Sequence, residues 1–183
     1  MAVLSGAYPD EWADLLRVLR DFRLRHSQLM NPGGNLSQMS RSIDGHFRRL
    51  GWRETGFDTR VTVRQHPSEE GEPFEYDSPT HKVDSFKNHV GVEVEWNNKD
   101  TFFDRDLSNF RLLFDLRVLG VGVIITRGDD IGALAVRLGR ERSVYGATTT
   151  HWNTLVPRLE GGAGGGCPVL AFAISEACYD PTS

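Results

Sequence analysis

The chain is poor in cysteine and has no long apolar run. Cys167 and Cys178 are its two cysteines, too few for a disulfide framework, and a reducing cytoplasmic setting is expected. The six histidines are scattered, and none has the paired Cys/His spacing of a structural zinc site. No apolar stretch is long enough to span a bilayer, so no membrane contact is expected. Residues 1–12 lack the basic start and apolar core of a secretory leader. The glycine run at 161–166 is not followed by Gly-Lys-Ser/Thr and leads into a strand pattern, which excludes a phosphate loop. Positive charge is not in excess either, since the net charge is −4. Phosphate binding needs a local positive surface rather than a positive total, so this value argues against nucleic acid without excluding it. No repeat or linker divides the chain, and one domain over residues 1–183 is expected.

Hydrophobic periodicity lays out the elements. A helix is expected over 9–25, with Trp12, Leu15, Leu16, Leu19 and Phe22 as its apolar stripe and Pro9 near its start. After the breaker Asn31-Pro32-Gly33-Gly34, a second helix carries Leu36, Met39, Ile43, Phe47 and Leu50, and Gly51 stops it. Residues 57–63 read as a strand and 65–80 as a long hairpin loop. A third helix over 103–119 presents Phe103, Leu107, Phe110 and Phe114 and ends at Gly120. Residues 121–126 are continuously apolar, the pattern of a strand buried on both faces. A further helix is expected over 131–138, and one containing Trp152, Leu155, Val156 and Leu159 is capped from Thr148-Thr149-Thr150. A last strand covers 168–174. Strand, helix and buried strand in succession make 90–96 and 121–126 parallel neighbours. The expected fold class is α/β, a mixed central β-sheet flanked by helices.

The chemistry concentrates at 82–96. From Val90 to Trp96 the residues alternate, with valines and Trp96 on one face and Gly91, Glu93 and Glu95 on the other. Residues 82–86 read as an antiparallel partner with Lys87-Asn88 as the turn. That register sets Asp84 opposite Gly91 and diagonal to Glu93, within about 7–8 Å. The other face buries Val83, Val90, Val92, Val94 and Trp96. Taken alone, Val-Glu-Val-Glu is also the pattern of a half-buried strand with a solvated face. Three converging acids repel one another unless a cation or proton neutralises them. All-oxygen ligation suits Mg²⁺.

Asp84, then Glu93-Val94-Glu95 on antiparallel strands, then a helix and a buried strand, resembles the PD-(D/E)xK nuclease core. Three stretches narrow this: Val92-Glu93-Val94-Glu95-Trp96-Asn97-Asn98-Lys99-Asp100 with Phe103-Asp104-Arg105-Asp106-Leu107; Thr150-His151-Trp152-Asn153-Thr154-Leu155; and Gly165-Gly166-Cys167-Pro168-Val169-Leu170. They are similar to the BglII/BstYI-type restriction endonucleases over roughly residues 33–174. The resemblance implies a restriction-endonuclease-like fold and a homodimeric, Mg²⁺-dependent enzyme. Such an enzyme cuts both strands of a short palindrome in double-stranded DNA, centred on GATC, to 5′-phosphate ends. It makes Asp84, Glu93 and Glu95 the catalytic acids, with Asp84, Glu93 and the carbonyl of Val94 on the metal. Two departures stand out: no proline precedes Asp84, and Glu95 occupies the place usually held by lysine, leaving the general base open. An acid of the second helix, Asp44 or another, is expected to support the site.

The resemblance also places Asn98, with its neighbours Asn97 and Lys99, near a base edge in the major groove. A recognition segment over about 128–150 supplies Arg140, Arg142, Ser143, Tyr145 and Thr148 for phosphate and base contacts. Two other readings remain: a repair nuclease of the same fold that recognises structure, and a DNA-binding relative without cleavage. The second is disfavoured by the presence of all three acids.

Overall fold

Alternation along two neighbouring strands determines the layers. The computed structural model describes residues 1–30, 38–64 and 73–182. Its elements are α1 (Ala2–Ala7), α2 (Pro9–Asp21), β1 (Leu24–Arg25), α3 (His26–Met30), α4 (Gln38–Arg49), β2 (Arg53–Thr55), β3 (Asp58–Val63) and β4 (Phe74–Pro79). There follow β5 (Val83–Lys87), β6 (Val90–Glu95), α5 (Phe102–Asp115), β7 (Val121–Arg127), α6 (Asp130–Arg137), α7 (Trp152–Glu160), β8 (Val169–Ile174) and β9 (Tyr179–Asp180). The main sheet runs β2-β5-β6-β7-β8, antiparallel from β2 to β6 and parallel from β6 to β8. This is the expected mixed sheet, with β6 and β7 as the parallel pair. Two smaller pairs, β1-β9 and β3-β4, lie outside it.

Val90, Val92, Val94 and Trp96 of the β6 segment join Val121, Val123 and Ile125 of β7 in one core. Leu15 and Val18 of α2, Ile43 and Phe47 of α4 and Leu134 of α6 cover it. Ile124, on the reverse face of β7, packs with Phe103, Leu107, Phe110 and Leu113 of α5 and Leu155 of α7. The sheet therefore has helices on both sides, which is why β6 and β7 are buried along their whole length. Lys87 Nζ, at the end of β5, donates to Asp14 Oδ2 (2.8 Å), which also accepts from Trp52 Nε1 (3.0 Å). That pair ties α2 to the antiparallel edge.

Several boundaries differ from the sequence expectation. The first helix stops at Asp21 because Phe22 turns extended and Leu24 pairs with Tyr179; α1 precedes it as a separate short helix. The third helix stops at Asp115: Arg117 takes a left-handed φ of 61°, and Leu119 reaches the core from the turn beyond. The stretch read as a loop over 65–80 contains β4, which pairs with β3 from Val63↔Phe74 to Asp58↔Pro79; residues 65–72 lie outside the described residues, as do Leu36 and the breaker at 31–34. The last cap is at His151 rather than within Thr148–Thr150, its N–H donating to Thr154 Oγ1 (3.2 Å).

Gly91 and Gly122 are register partners on β6 and β7, and together they seat α5. A Cβ on Gly122 would fall among the ring atoms of Phe110, and one on Gly91 would meet Leu119 Cδ1 at 2.9 Å and Phe110 Cε1 at 3.4 Å. The missing side chains make a slot for one aromatic ring, so the helix lies close to the sheet. Gly122→Ala is therefore expected to destabilise the protein by about 1–3 kcal/mol through overpacking. Chemical denaturation should show Phe110→Leu in the same chain recovering part of that loss.

Candidate active site

The hairpin that carries the acids turns at Asn88-His89. Both residues have positive φ (44° and 65°), the requirement of a two-residue turn matched to strand twist. The expected turn at Lys87-Asn88 is thereby corrected: Phe86 pairs with Gly91, Ser85 with Val92 and Lys87 with Val90. A shift of two residues preserves the face and brings Asp84 closer to Glu93 than the diagonal expected. Against β2 the register also slips, Arg53↔Phe86 but Thr55↔Val83, so β5 holds one extra residue, a bulge at Asp84-Ser85. Bulges re-aim side chains. Here the bulge moves Val83 off the Val92 face into the α5 core, correcting its expected place, and leaves Asp84 Oδ2 accepting from the N–H of Val94 (3.2 Å).

The acidic face of β6 is not solvated. Glu93 is 1% and Glu95 3% exposed, because α5 covers them, and α5 itself contributes Asp106, 0% exposed. Neither carboxylate oxygen of Glu93 has a hydrogen-bond partner, nor has Oδ2 of Asp106. Glu95 is better supplied: Asn98 Nδ2 donates to its Oε2 (2.6 Å) and Arg105 Nη2 to its Oε1 (3.2 Å). Arg105 also holds Asp106 Oδ1 through Nε (2.9 Å) and Nη2 (2.8 Å) and stacks over Phe102 at 4.4 Å. Asp84, Glu95, Asn98 and Arg105 line a cleft of about 650 Å³ whose far wall is Ser40, Asp44 and Arg48 of α4.

Desolvation dominates the electrostatics. Burial, then the charges of Asp106 and Asp84, raises Glu93 well above the usual carboxylate range. Burial and then the charge of Asp106 push Glu95 up to about 9, against the opposing pull of Asn98 and Arg105. Asp44 of α4, which lines the cleft, is raised to about 7 by burial and by Asp84. Asp106 is raised by burial despite Arg105.

These residues suit a hard divalent cation in one respect: the donors are all oxygen, and the Glu93 oxygens are unengaged. Among the described residues, however, no three His, Cys, Asp or Glu side chains are already disposed to hold a metal. Asp84 is turned to the Val94 amide and Glu95 to Arg105 and Asn98, so ligation requires side-chain rotation.

The expected DNA-facing residues divide into two groups. Asn98 lines the cleft; Lys99, Arg142, Ser143 and Thr148 are exposed, and Arg140 is partly so. Tyr145 is buried, its hydroxyl donating to the Leu29 carbonyl (2.7 Å) and its ring set edge-on to Trp96. Asn97 takes a left-handed φ of 56° and donates from Nδ2 to the Val144 carbonyl (2.9 Å). These two side chains serve the fold, a correction to the reading that gave them DNA contacts. Backbone bonds fasten 98–100 to 148–150: Thr150 N–H to Asn98 O (2.8 Å) and Asp100 N–H to Thr148 O (3.1 Å). Residues 148–150 are thus fixed to the segment that leaves the strand carrying Glu95.

Sequence reading missed Arg105 and Asp106 as site residues. A signal was present: Asp106 lies three residues after Phe103 and four before Phe110, within the apolar stripe of α5, where a carboxylate needs a reason.

Comparison with known families finds a match over most of the chain. The family model for restriction endonuclease BglII/BglIII covers residues 1–174, nearly the whole chain and every residue named above except those beyond β8. No curated protein matches the chain.

The raised carboxyls make stability depend on pH with a definite sign. Between about 4.5, the ordinary value for Glu95, and about 9, its value in the fold, the folded state keeps a proton that the unfolded chain has lost. Stability therefore falls as pH rises through that window. Without divalent cation, melting at pH 8.5 is expected well below that at pH 5.5. Glu95→Gln should raise the pH 8.5 value and flatten the dependence, whereas a profile that climbs with pH would contradict the buried, protonated carboxyls.

Proposed function

Because the chain belongs to the BglII/BglIII restriction endonuclease family and is thus a type II restriction endonuclease, we propose that the Asp84–Glu93–Glu95 cleft hydrolyses DNA phosphodiesters with Mg²⁺. The observation that carries this reading is the pair of Glu93 oxygens, buried with no hydrogen-bond donor beside Asp84, which itself lines the open cleft. The arrangement corresponds to a PD-(D/E)xK core with glutamate in the third position. Asp84, Glu93 and the Val94 carbonyl would hold the cation, which when bound offsets negative charge on the phosphate and on the carboxylates. Glu95 can take a proton from an attacking water only once it is ionised, and positive charge brought beside it by a bound cation would favour that form. Arg105 and Asn98 favour its ionised form and hold its carboxylate in position. In-line attack leaves a 3′ hydroxyl and a 5′ phosphate.

Each chain supplies one cluster, so cutting both strands of a palindrome calls for a twofold homodimer. The apolar stripes of α2 and α5 are consumed inside the subunit and do not supply that interface: Leu15, Val18, Phe103, Leu107 and Phe110 are fully buried. Asn98, at the cleft beside Glu95, suits bidentate pairing with adenine, which is worth about 1–3 kcal/mol of discrimination. Together with the resemblance, this supports a GATC-centred site cut to a four-base 5′ overhang, with the outer pair set from within the stretch Arg140 to Thr148.

Purified protein is expected to cut plasmid DNA at one repeated sequence with Mg²⁺ and to stop when the cation is chelated. Sequencing the ends decides between this and a structure-specific nuclease, which would leave random ends. Asp84→Asn and Glu93→Gln should abolish cutting while duplex binding persists in Ca²⁺. Glu95→Gln should retain measurable activity, and equal loss from all three substitutions would make Glu95 obligatory.

A further inference from the structure

A second cavity, of about 670 Å³, opens between the start of α6 and residues 142–151 and shares no lining residue with the active-site cleft. Its floor includes Arg127, the last residue of β7, which is 3% exposed. Arg127 Nη2 donates to Thr149 Oγ1 (2.6 Å) and Gly146 O (3.4 Å), and the guanidinium lies 5.2 Å over the Tyr145 ring. All of these partners are neutral. Nε is buried with no partner, and among the described residues no carboxylate stands within ion-pair distance of this arginine. Asp129, the carboxylate in the lining, acts on Arg127 through space without pairing with it, its Oδ1 accepting from His151 Nδ1 (2.6 Å) and from the Asn153 N–H (3.2 Å). Of the two other arginines in the wall, Arg137 pairs with Glu176, while Arg142 is exposed and forms no ion pair among the described residues.

A guanidinium keeps its proton in proteins, and a buried charge without a directly paired counter-ion is costly. Here it faces an open space at the carboxyl end of parallel strands, the edge where open α/β sheets bind ligands. We propose that this cavity is an anion site that receives one backbone phosphate of the DNA duplex away from the scissile position, with Arg127 as its buried anchor and Arg142 at its mouth. The inference rests on the reading of the chain as a DNA-cutting enzyme. It gives the segment fastened to the Glu95 strand a means of setting the duplex in register before a base is read, because phosphate contacts position and base contacts specify.

The test is equilibrium binding of a fluorescein-labelled duplex in Ca²⁺ across a salt series, alongside melting in sodium sulfate. Arg127→Gln and Arg142→Ala should each weaken binding and lower the slope of log affinity against log salt by about one. Should Arg127→Gln fail to fold, Arg142→Glu, at an exposed position, carries the same readout. Unchanged slope and affinity in the variants overturn the proposal. Sulfate that stabilises the wild type but not Arg127→Gln, with duplex affinity unaltered in both, overturns the DNA assignment in favour of a free-anion site. A wild type that binds no duplex at any salt concentration sinks the nuclease reading itself, an outcome distinct from loss in the variants alone.

Discussion

Helix α5 lying across the acidic face of β6 is the contact on which the site depends. It converts Glu93 and Glu95 from solvated strand residues into carboxylates removed from water, and adds Asp106 to them. Desolvation disfavours charge on each, and like charges disfavour it further. Arg105, Asn98 and the Val94 amide are the donors that counter it, and they leave Glu93 without any. The folded protein is thereby built around an incompletely satisfied acid cluster. Such a defect costs stability and is kept where chemistry uses it.

Close approach of α5 depends in turn on two residues that carry no side chain. Gly91 and Gly122 lie side by side in the sheet and admit the Phe110 ring between them. Any larger pair would lift the helix and with it Arg105 and Asp106, more than one helical turn from the point of contact. Packing at one end of α5 and electrostatics at the other are parts of a single arrangement. Interiors packed at crystal density pass such displacements along rather than absorb them.

The segments flanking the cleft are held to the same strand. Residues 98–100 leave β6 and are fastened by backbone bonds to 148–150, while Asn97 and Tyr145 are committed to holding the two segments and the core together. Asn98 remains at the cleft with its amide on Glu95. On the proposed function, a base-edge contact that drew Asn98 away would remove a donor from Glu95 and so would link site reading to the state of the acid.

The sequence by itself determined what period and composition can carry. The alternation of β6, the unbroken apolar run of β7 and the stripe of α5 specified a helix-covered mixed sheet, and Asp84, Glu93 and Glu95 were legible as one cluster because strand geometry is local. Only the tertiary structure decided what depends on distant partners. The one-residue bulge at Asp84, the turn at Asn88-His89, the placing of Asp44 at the cleft and the burial of Tyr145 all follow from packing between segments far apart in the chain. A tyrosine or arginine in a polar stretch reads the same whether it meets solvent or a core. The physical reason is that desolvation belongs to the assembled interior, and no residue carries it alone.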